Sequence, residues 1–516
     1  MGEGREGGTT MRVRGTTERT GRPGHWRWLL TLALMVPVVA LVTPAASAWE
    51  RAEVESVLDG YVRDVRPPGA ALVVLAGGTP RTLVRGEDGA GRPVDADTLF
   101  RIGSMSKAFT ALAVLQQVDA GRFGLTDPVV DVLPDFRMGD PGHRSITVRD
   151  LLTHRSGISA VAKEYAARPA GSPAEVVESV AGHSLAAEPG TRTEYSNTGY
   201  GILARIVEVS SGTEFNAYLR QRVFAPLGMT STTSTNLCDA RPDGLTNGFS
   251  AVLALRLAVP EMPGTCAGSG GIVSTATDMG RWLAFQLGDG TSAATGERLL
   301  REPTLRSMHD VPDRAGEYGF GWRDTSAESD TEPFVGHGGT LATYASSIEF
   351  SPRTGTGAVA LTNAAGEPTL LTHNAIAALD GGPRQAITNP YDGVNIFLAA
   401  LSGVVLILGC VGLLRARRWA GRRTDTTGRG IVLRLAPLVL SGLLGTLLPV
   451  LVGALMGLVD IVSYRLVLWL FPMVYVLGTA IVLSCVAVVV ARLTRLRAAR
   501  RAGAAVAGPH PVTQTV

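Results

Sequence analysis

Read along its length, the chain switches between three patterns of apolar and polar positions. Residues 28–43 form one apolar run, and three uncharged stretches, 395–414, 435–459 and 466–491, close the chain. Each closing stretch has about the 20 residues needed to cross a hydrocarbon core, and three in succession argue against a buried helix of a soluble fold. Between these runs the periodicity alternates. Val54–Val65 reads as a helix, and Gly69–Ala76 and Thr79–Arg85 as strands of a hairpin turning at Gly77-Gly78. Ser106–Asp119 has helical spacing and good helix formers. Thr147–Leu152, Gly199–Val209 and Thr277–Gln286 are helical segments among Gly, Pro and Ser loops. Strand patterns return at Leu341–Phe350 and Gly357–Thr362, followed by a helix over Leu370–Leu379. Strands at both ends of a helical middle predict an α+β sheet lobe with an inserted helical lobe.

Composition agrees with a membrane protein, since 45% of residues are hydrophobic and only 18% charged. The net charge of +3 conceals an uneven distribution. Arginines cluster in residues 1–27, 415–430 and 492–501, which leaves the body at 49–394 acidic. A nucleic-acid-binding body would carry its basic charge on the folded domain, so no nucleic-acid partner is expected. The arginine-rich leader, the apolar run and Ala46-Ser47-Ala48 read as a secretory signal peptide, 1–48, with an uncleaved anchor as the alternative. The expected organisation continues with an extracytoplasmic domain at 49–380 and a Gly/Pro/Asn linker at 381–394. Three transmembrane helices over 395–491 and a tail at 492–516 complete it. Arg415, Arg417, Arg418, Arg422, Arg423 and Arg429 fill the first connection, and five arginines follow the last span. The positive-inside rule puts that loop and the tail in the cytoplasm. A multi-pass cell-membrane protein in contact with lipid follows. No Asp, Glu, His or Lys lies within the three stretches, which disfavours a transport pathway. Pro437, Pro449 and Pro472 are positioned to kink these helices.

The strongest chemical signal is Phe100–Lys107, with Ser104 and Lys107 three residues apart. A helix starting at or just after Gly103 would place both on one face, with Ser104 at its N-terminus, where developing negative charge is favoured. A serine hydroxyl needs a base to become a nucleophile. The chain contains only two lysines, Lys107 and Lys163, and otherwise uses arginine. Arginine cannot give up its proton whereas a desolvated lysine can, so Lys107 reads as a chemical choice. A second element, Tyr195-Ser196-Asn197, precedes a helical run. Tyr195 beside a cationic lysine suits a general acid/base, and Asn197 can donate to a substrate carbonyl while its oxygen holds the lysine. The third, His337-Gly338-Gly339-Thr340, enters a strand and is weak by itself.

These elements, in this order, resemble the serine β-lactamase and penicillin-binding-protein-like hydrolases, in the branch of class C β-lactamases, D-Ala-D-Ala carboxypeptidases and esterases. Further similar stretches are Leu151–Gly157, Phe224–Met229, Gly270–Thr275 and Tyr318–Trp322, so the resemblance spans about residues 55–380. It implies an antiparallel sheet flanked by helices, with no cofactor. Ser104 would be the acylated nucleophile, Lys107 its partner and Tyr195 the proton shuttle. Asn197, His337, Gly339 and Thr340 would bind substrate, with His337 standing where many relatives have Lys. The backbone N–H groups of Ser104 and Thr340 would form the oxyanion hole. Gly338 departs from the pattern, because relatives that bind a substrate carboxylate have Thr or Ser there. That weakens the case for D,D-peptidase or β-lactamase activity and favours esterase or D-aminopeptidase-like work, on a small ester or amide or a cell-wall peptide. The alternative is a non-catalytic sensor that binds penicillins or wall peptides.

Other residues read more plainly. His154 suits a structural, loop-bridging role, and Trp322 and Tyr344 suit either the cleft or the core. Cys410 and Cys485 lie in the apolar spans. Cys238 and Cys266 are the only pair in the exported body, and are expected either to be bonded there or to be two separately buried thiols. Neither has His or Cys neighbours at metal spacing, so no metal is expected.

Overall fold

The computed structural model describes residues 51–159, 169–252, 255–311, 318–325, 334–387, 390–455, 467 and 471–506. The expected signal peptide, Lys163 and the end of the tail lie outside them. Strands run as β1 (Gly69–Ala76), β2 (Arg81–Gly86), β3 (Phe100–Arg101), β4 (Thr233–Ser234), β5 (Gly248–Val252) and β6 (Leu255–Val259). They continue as β7 (Ile272–Ser274), β8 (Arg323–Asp324), β9 (Val335–Thr340), β10 (Ala345–Ser351) and β11 (Thr356–Thr362). Six of them form one antiparallel sheet in the order β2-β1-β11-β10-β9-β8. A short sheet β3-β7-β4 and a hairpin β5-β6 lie apart.

The continuous apolar run of β1 follows from burial on both faces. Ala71, Val73 and Leu75 join one core with the Ser106–Asp119 and Ala276–Gln286 helices. Ala70, Leu72 and Val74 join the other, with the helix over 51–65 and the Pro368–Asp380 helix. The α+β expectation is met, and the helical lobe is inserted between β3 and β4. Trp322 and Tyr344 are 0% and 1% exposed, so both belong to the core rather than to a cleft wall. Burying a large side chain in this way is worth about 1.5–3 kcal/mol.

The differences from the sequence reading have local causes. β2 begins at Arg81 because Pro80 offers no N–H to the ladder. The strand expected from Leu341 begins only at Ala345. The Glu261 carboxylate accepts from the N–H groups of Ala342 (3.0 Å) and Thr343 (3.0 Å), and holds residues 341–344 in a turn. The expected linker at 381–394 is irregular only to 387, since a helix occupies Pro390–Gly421.

Among the described residues, three helices are long and apolar enough to cross a membrane: Gly393–Gly421, Gly428–Leu455 and Pro472–Ala502. Pro437 and Pro449 lie inside the second. Pro472 opens the third rather than interrupting it, a position its fixed φ suits. The third helix packs against both others through small residues. A Cβ at Gly409 would lie 2.6 Å from Ser484 Oγ, and one at Gly478 2.6 Å from the Gly445 carbonyl oxygen. Such close approach substitutes for the hydrophobic drive that is missing between helices in lipid.

Candidate active site

β3 ends in a 3₁₀ turn, Gly103–Met105, that feeds the Ser106–Asp119 helix. Gly103 has φ 49°, a conformation that glycine adopts without penalty. The Ser106 hydroxyl accepts from the Ile272 N–H at 3.1 Å, and the Ile102 N–H donates to the Ile272 carbonyl at 3.1 Å, so β7 pins both sides of the turn. Ser104 is half-buried on this turn, and Lys107, one helical turn on, is fully buried.

Lys107 Nζ lies 3.2 Å from Ser104 Oγ, 2.5 Å from Asn197 Oδ1 and 2.9 Å from the Ser269 carbonyl oxygen. It also stands 4.7 Å from the centre of the Tyr195 ring. The structure therefore gathers Ser104, Lys107, Tyr195 and Asn197. Ser196 N-caps the Asn197–Ser211 helix by accepting from the Gly199 N–H at 3.3 Å, which fixes Asn197 in the first turn.

The loop between Tyr195 and its neighbours is held by His154. This residue has φ 58°, and its Nδ1 accepts from the Ser196 N–H at 3.1 Å. Its carbonyl accepts from the Glu194 N–H at 2.8 Å. The ring sits 4.3 Å from both the Tyr195 and Tyr318 rings. Burial, reinforced by the Lys107 charge, holds this imidazole well below its ordinary pKa and keeps it neutral. A loop-bridging role fits, and the bridge reaches the tyrosine itself.

On the opposite wall, β9 meets the Ser104 turn closely. A Cβ at Gly339 would fall 2.0 Å from the Ile102 carbonyl oxygen, and one at Gly103 would fall 3.1 Å from Thr340 N. The absence of a side chain at Gly339 thus lets the two backbones meet. His337, on the same strand, is enclosed. Its ring is 2% exposed, Nε2 accepts from the Tyr318 hydroxyl at 2.7 Å, and Nδ1 donates to the Gly338 carbonyl at 2.5 Å. Both ring nitrogens are thus engaged within the protein. Burial first, and then the charges of Arg323 and Lys107, drive its pKa well down.

Three residues escaped the sequence reading: Tyr318, Glu261 and Ser269. Tyr318 lay inside a stretch noted only for similarity. Glu261 is an acid in a Pro-flanked apolar segment, a signal that could have marked it. Ser269 acts through its carbonyl, which no side-chain pattern reveals. Its loop is tethered by a disulfide between Cys238 and Cys266, whose Cα atoms are 5.0 Å apart. The bridge packs on Leu341, directly after Thr340. Among the described residues no cluster of three His, Cys, Asp or Glu side chains could hold a metal.

Comparison with known proteins covers this whole domain. The sequence model of the family described as Beta-lactamase matches residues 54–382. "Penicillin-binding protein 4" of Amycolatopsis lactamdurans is 31% identical over 322 residues, 57% of this chain and 81% of that protein. The D-alanine carboxypeptidase AmpC of Burkholderia cenocepacia superposes with a TM-score of 0.53 at 22% identity, covering 64% of this chain and 99% of that one. That likeness speaks for the fold alone. A D-stereospecific amidohydrolase from Streptomyces sp. superposes with a TM-score of 0.50 at 26% identity, covering 63% of this chain and 97% of that one.

Proposed function

The chain belongs to the beta-lactamase family, and we propose that it is a membrane-anchored serine hydrolase working through an acyl-enzyme on an ester or amide. One observation carries the reading. Two of the three oxygens around Lys107 Nζ are carbonyl acceptors, Asn197 Oδ1 and Ser269 O, and each takes an N–H. The third direction faces Ser104 Oγ. In the neutral amine the lone pair occupies that direction and can receive the hydroxyl proton. Ser104 Oγ then bonds to the substrate carbonyl carbon, and the backbone N–H groups of Ser104 and Thr340 stabilise the oxyanion. The proton passes from Lys107, with Tyr195 as shuttle, to the leaving oxygen or nitrogen as its bond to carbon breaks. Water, deprotonated by the same pair, releases the acid and restores Ser104.

The substrate class follows from the β9 wall. A neutral, enclosed His337 and a Gly338 without a hydroxyl remove two groups that could hold a carboxylate beside the scissile bond. Esters or amides without that carboxylate fit best, which sets this site apart from that of a D-alanine carboxypeptidase and nearer to an amidohydrolase. The arginine distribution supports an extracytoplasmic domain with the 415–430 loop and the tail inside, and the disulfide suits that side of the membrane.

The test is a substrate panel on the full chain in detergent. Turnover of p-nitrophenyl esters or D-amino acid amides is expected to exceed that of D-Ala-D-Ala peptides and nitrocefin, and to vanish in Ser104→Ala. Preference for the carboxylate-bearing substrates contradicts the substrate class. Stoichiometric labelling without turnover favours the non-catalytic sensor.

A further inference from the structure

At the arginine-rich end of the helix bundle, the first helix, the loop after it and the third helix meet around one indole. Trp419 packs against a small core of Ala420, Ile431, Leu435 and Leu496. The Arg423 guanidinium lies 4.8 Å from the centre of its ring, and that of Arg492 5.1 Å from the same centre. Arg500 Nε donates to the Thr424 carbonyl at 3.0 Å, and another of its nitrogens to that of Thr426, which ties the loop to the third helix.

Two features of this cluster need an explanation. Like charges are drawn to a single ring, yet neither Arg423 nor Arg492 forms an ion pair with a carboxylate among the described residues. Asp425 is the one acid in the 415–430 loop, beside six arginines. In addition, the Nε atoms of both Arg423 and Arg492 are shielded from solvent with no hydrogen-bond partner. Arg423 has one acceptor inside the protein, since its Nη1 donates to the Trp419 carbonyl at 3.0 Å. The pair has no acidic partner among the described residues, however, and an anion with several oxygens would supply acceptors for the remaining guanidinium donors. The cluster sits where apolar helices end, which is where phosphate headgroups lie if these helices span the bilayer.

We propose that Trp419, Arg423 and Arg492 form a binding site for the headgroup of an anionic phospholipid. The indole stacks with the guanidinium groups and covers their Nε atoms, and the headgroup phosphate accepts from their outer N–H donors. A ring at headgroup depth is a common interfacial anchor. The other arginines of the loop and tail supply diffuse attraction, whereas these two define a site. The inference rests on the membrane-spanning reading of the three helices.

The experiment uses the full chain in membranes first washed with alkaline carbonate, which is expected to leave it in the membrane fraction. The chain is then purified in a zwitterionic detergent. Thermal unfolding of the bundle and lipids retained in native mass spectrometry are measured with phosphatidylglycerol, with phosphatidylcholine and with inorganic phosphate. Phosphatidylglycerol is expected to be retained about tenfold more than phosphatidylcholine, and phosphate alone to be without effect. Arg423→Gln combined with Arg492→Gln is expected to abolish the preference. Arg417→Gln combined with Arg495→Gln, which removes the same charge from exposed positions away from the indole, is expected to keep most of it. Equal retention of the two lipids overturns the proposal, as does equal loss in both double variants or an equal effect of free phosphate. Release of the chain by carbonate instead overturns the membrane-spanning reading, and the lipid site with it.

Discussion

The two walls of the cleft are built on opposite electrostatic plans. On one, Lys107 is a fully buried amine surrounded by three oxygens, one of them on Ser104. On the other, His337 is equally buried but neutral, closed off by Tyr318 and its own neighbouring carbonyl. The difference teaches that cationic capacity is concentrated where a proton must move. The β9 wall contributes backbone geometry: Gly339 and Gly103 let Thr340 N approach the Ser104 turn. The Cys238–Cys266 bridge serves both walls, since one of its flanks carries the Ser269 carbonyl and it packs on Leu341.

The sharpest way to break the comparison is at Lys107. Lys107→Arg keeps the charge but cannot cycle a proton, so kcat/KM for an activated ester is expected to fall by about 1000-fold, close to the loss in Lys107→Ala. Retained turnover in the arginine variant would show that Lys107 supplies charge alone. On the other wall, Gly339→Ala places a methyl against the Ile102 carbonyl. A loss in kcat of about 100-fold is expected with KM little changed, as for a lost oxyanion donor. A larger effect on KM than on kcat would make Gly339 a substrate-binding residue.

Smaller effects test what joins and supports the walls. Cys238→Ser with Cys266→Ser should lower unfolding free energy by about 3 kcal/mol, read by urea denaturation, since the bridge closes a loop of separation 28. Full alkylation of both thiols in the wild type without reductant would contradict the bridge. His154, His309 and His337 are all held below their ordinary pKa by burial, His309 to about 3. The unfolded chain therefore binds more protons below pH about 6.5. Their contribution is complete above that pH and is lost as pH falls, at about 1.4 kcal/mol per unit for each histidine. His309→Gln, at a ring that packs on Trp322 and Phe350, should flatten the acid limb of stability against pH by one proton. Least of all, His337→Gln should change ester turnover by less than about fivefold, because a neutral ring is replaced by a neutral amide.

The sequence was most legible where chemistry and periodicity are local. Ser104 and Lys107 are three apart, so one helical turn predicts their meeting, and the Ser106–Asp119 helix follows its own pattern. β1 was readable because burial on both faces leaves an unbroken apolar run. Contacts between distant segments were not readable. Ser269 meets Lys107 across 162 positions through a carbonyl that every residue possesses. Glu261 ends the strand pattern at Leu341–Tyr344 by taking backbone N–H groups, which hydrophobic alternation cannot anticipate. His337 matched a motif by position, but only its burial beneath Tyr318 shows that it carries no charge.

The central claim is that Ser104 becomes a nucleophile because Lys107 takes its proton. The most direct measurement is peptide-level mass spectrometry of the full chain after exposure to a fluorophosphonate, comparing the wild type with Ser104→Ala and Lys107→Arg. The account predicts a single adduct on Ser104 in the wild type, none in Ser104→Ala, and labelling slowed by about 1000-fold in Lys107→Arg. An adduct on another serine, or labelling of Ser104 at an unchanged rate in Lys107→Arg, would contradict it.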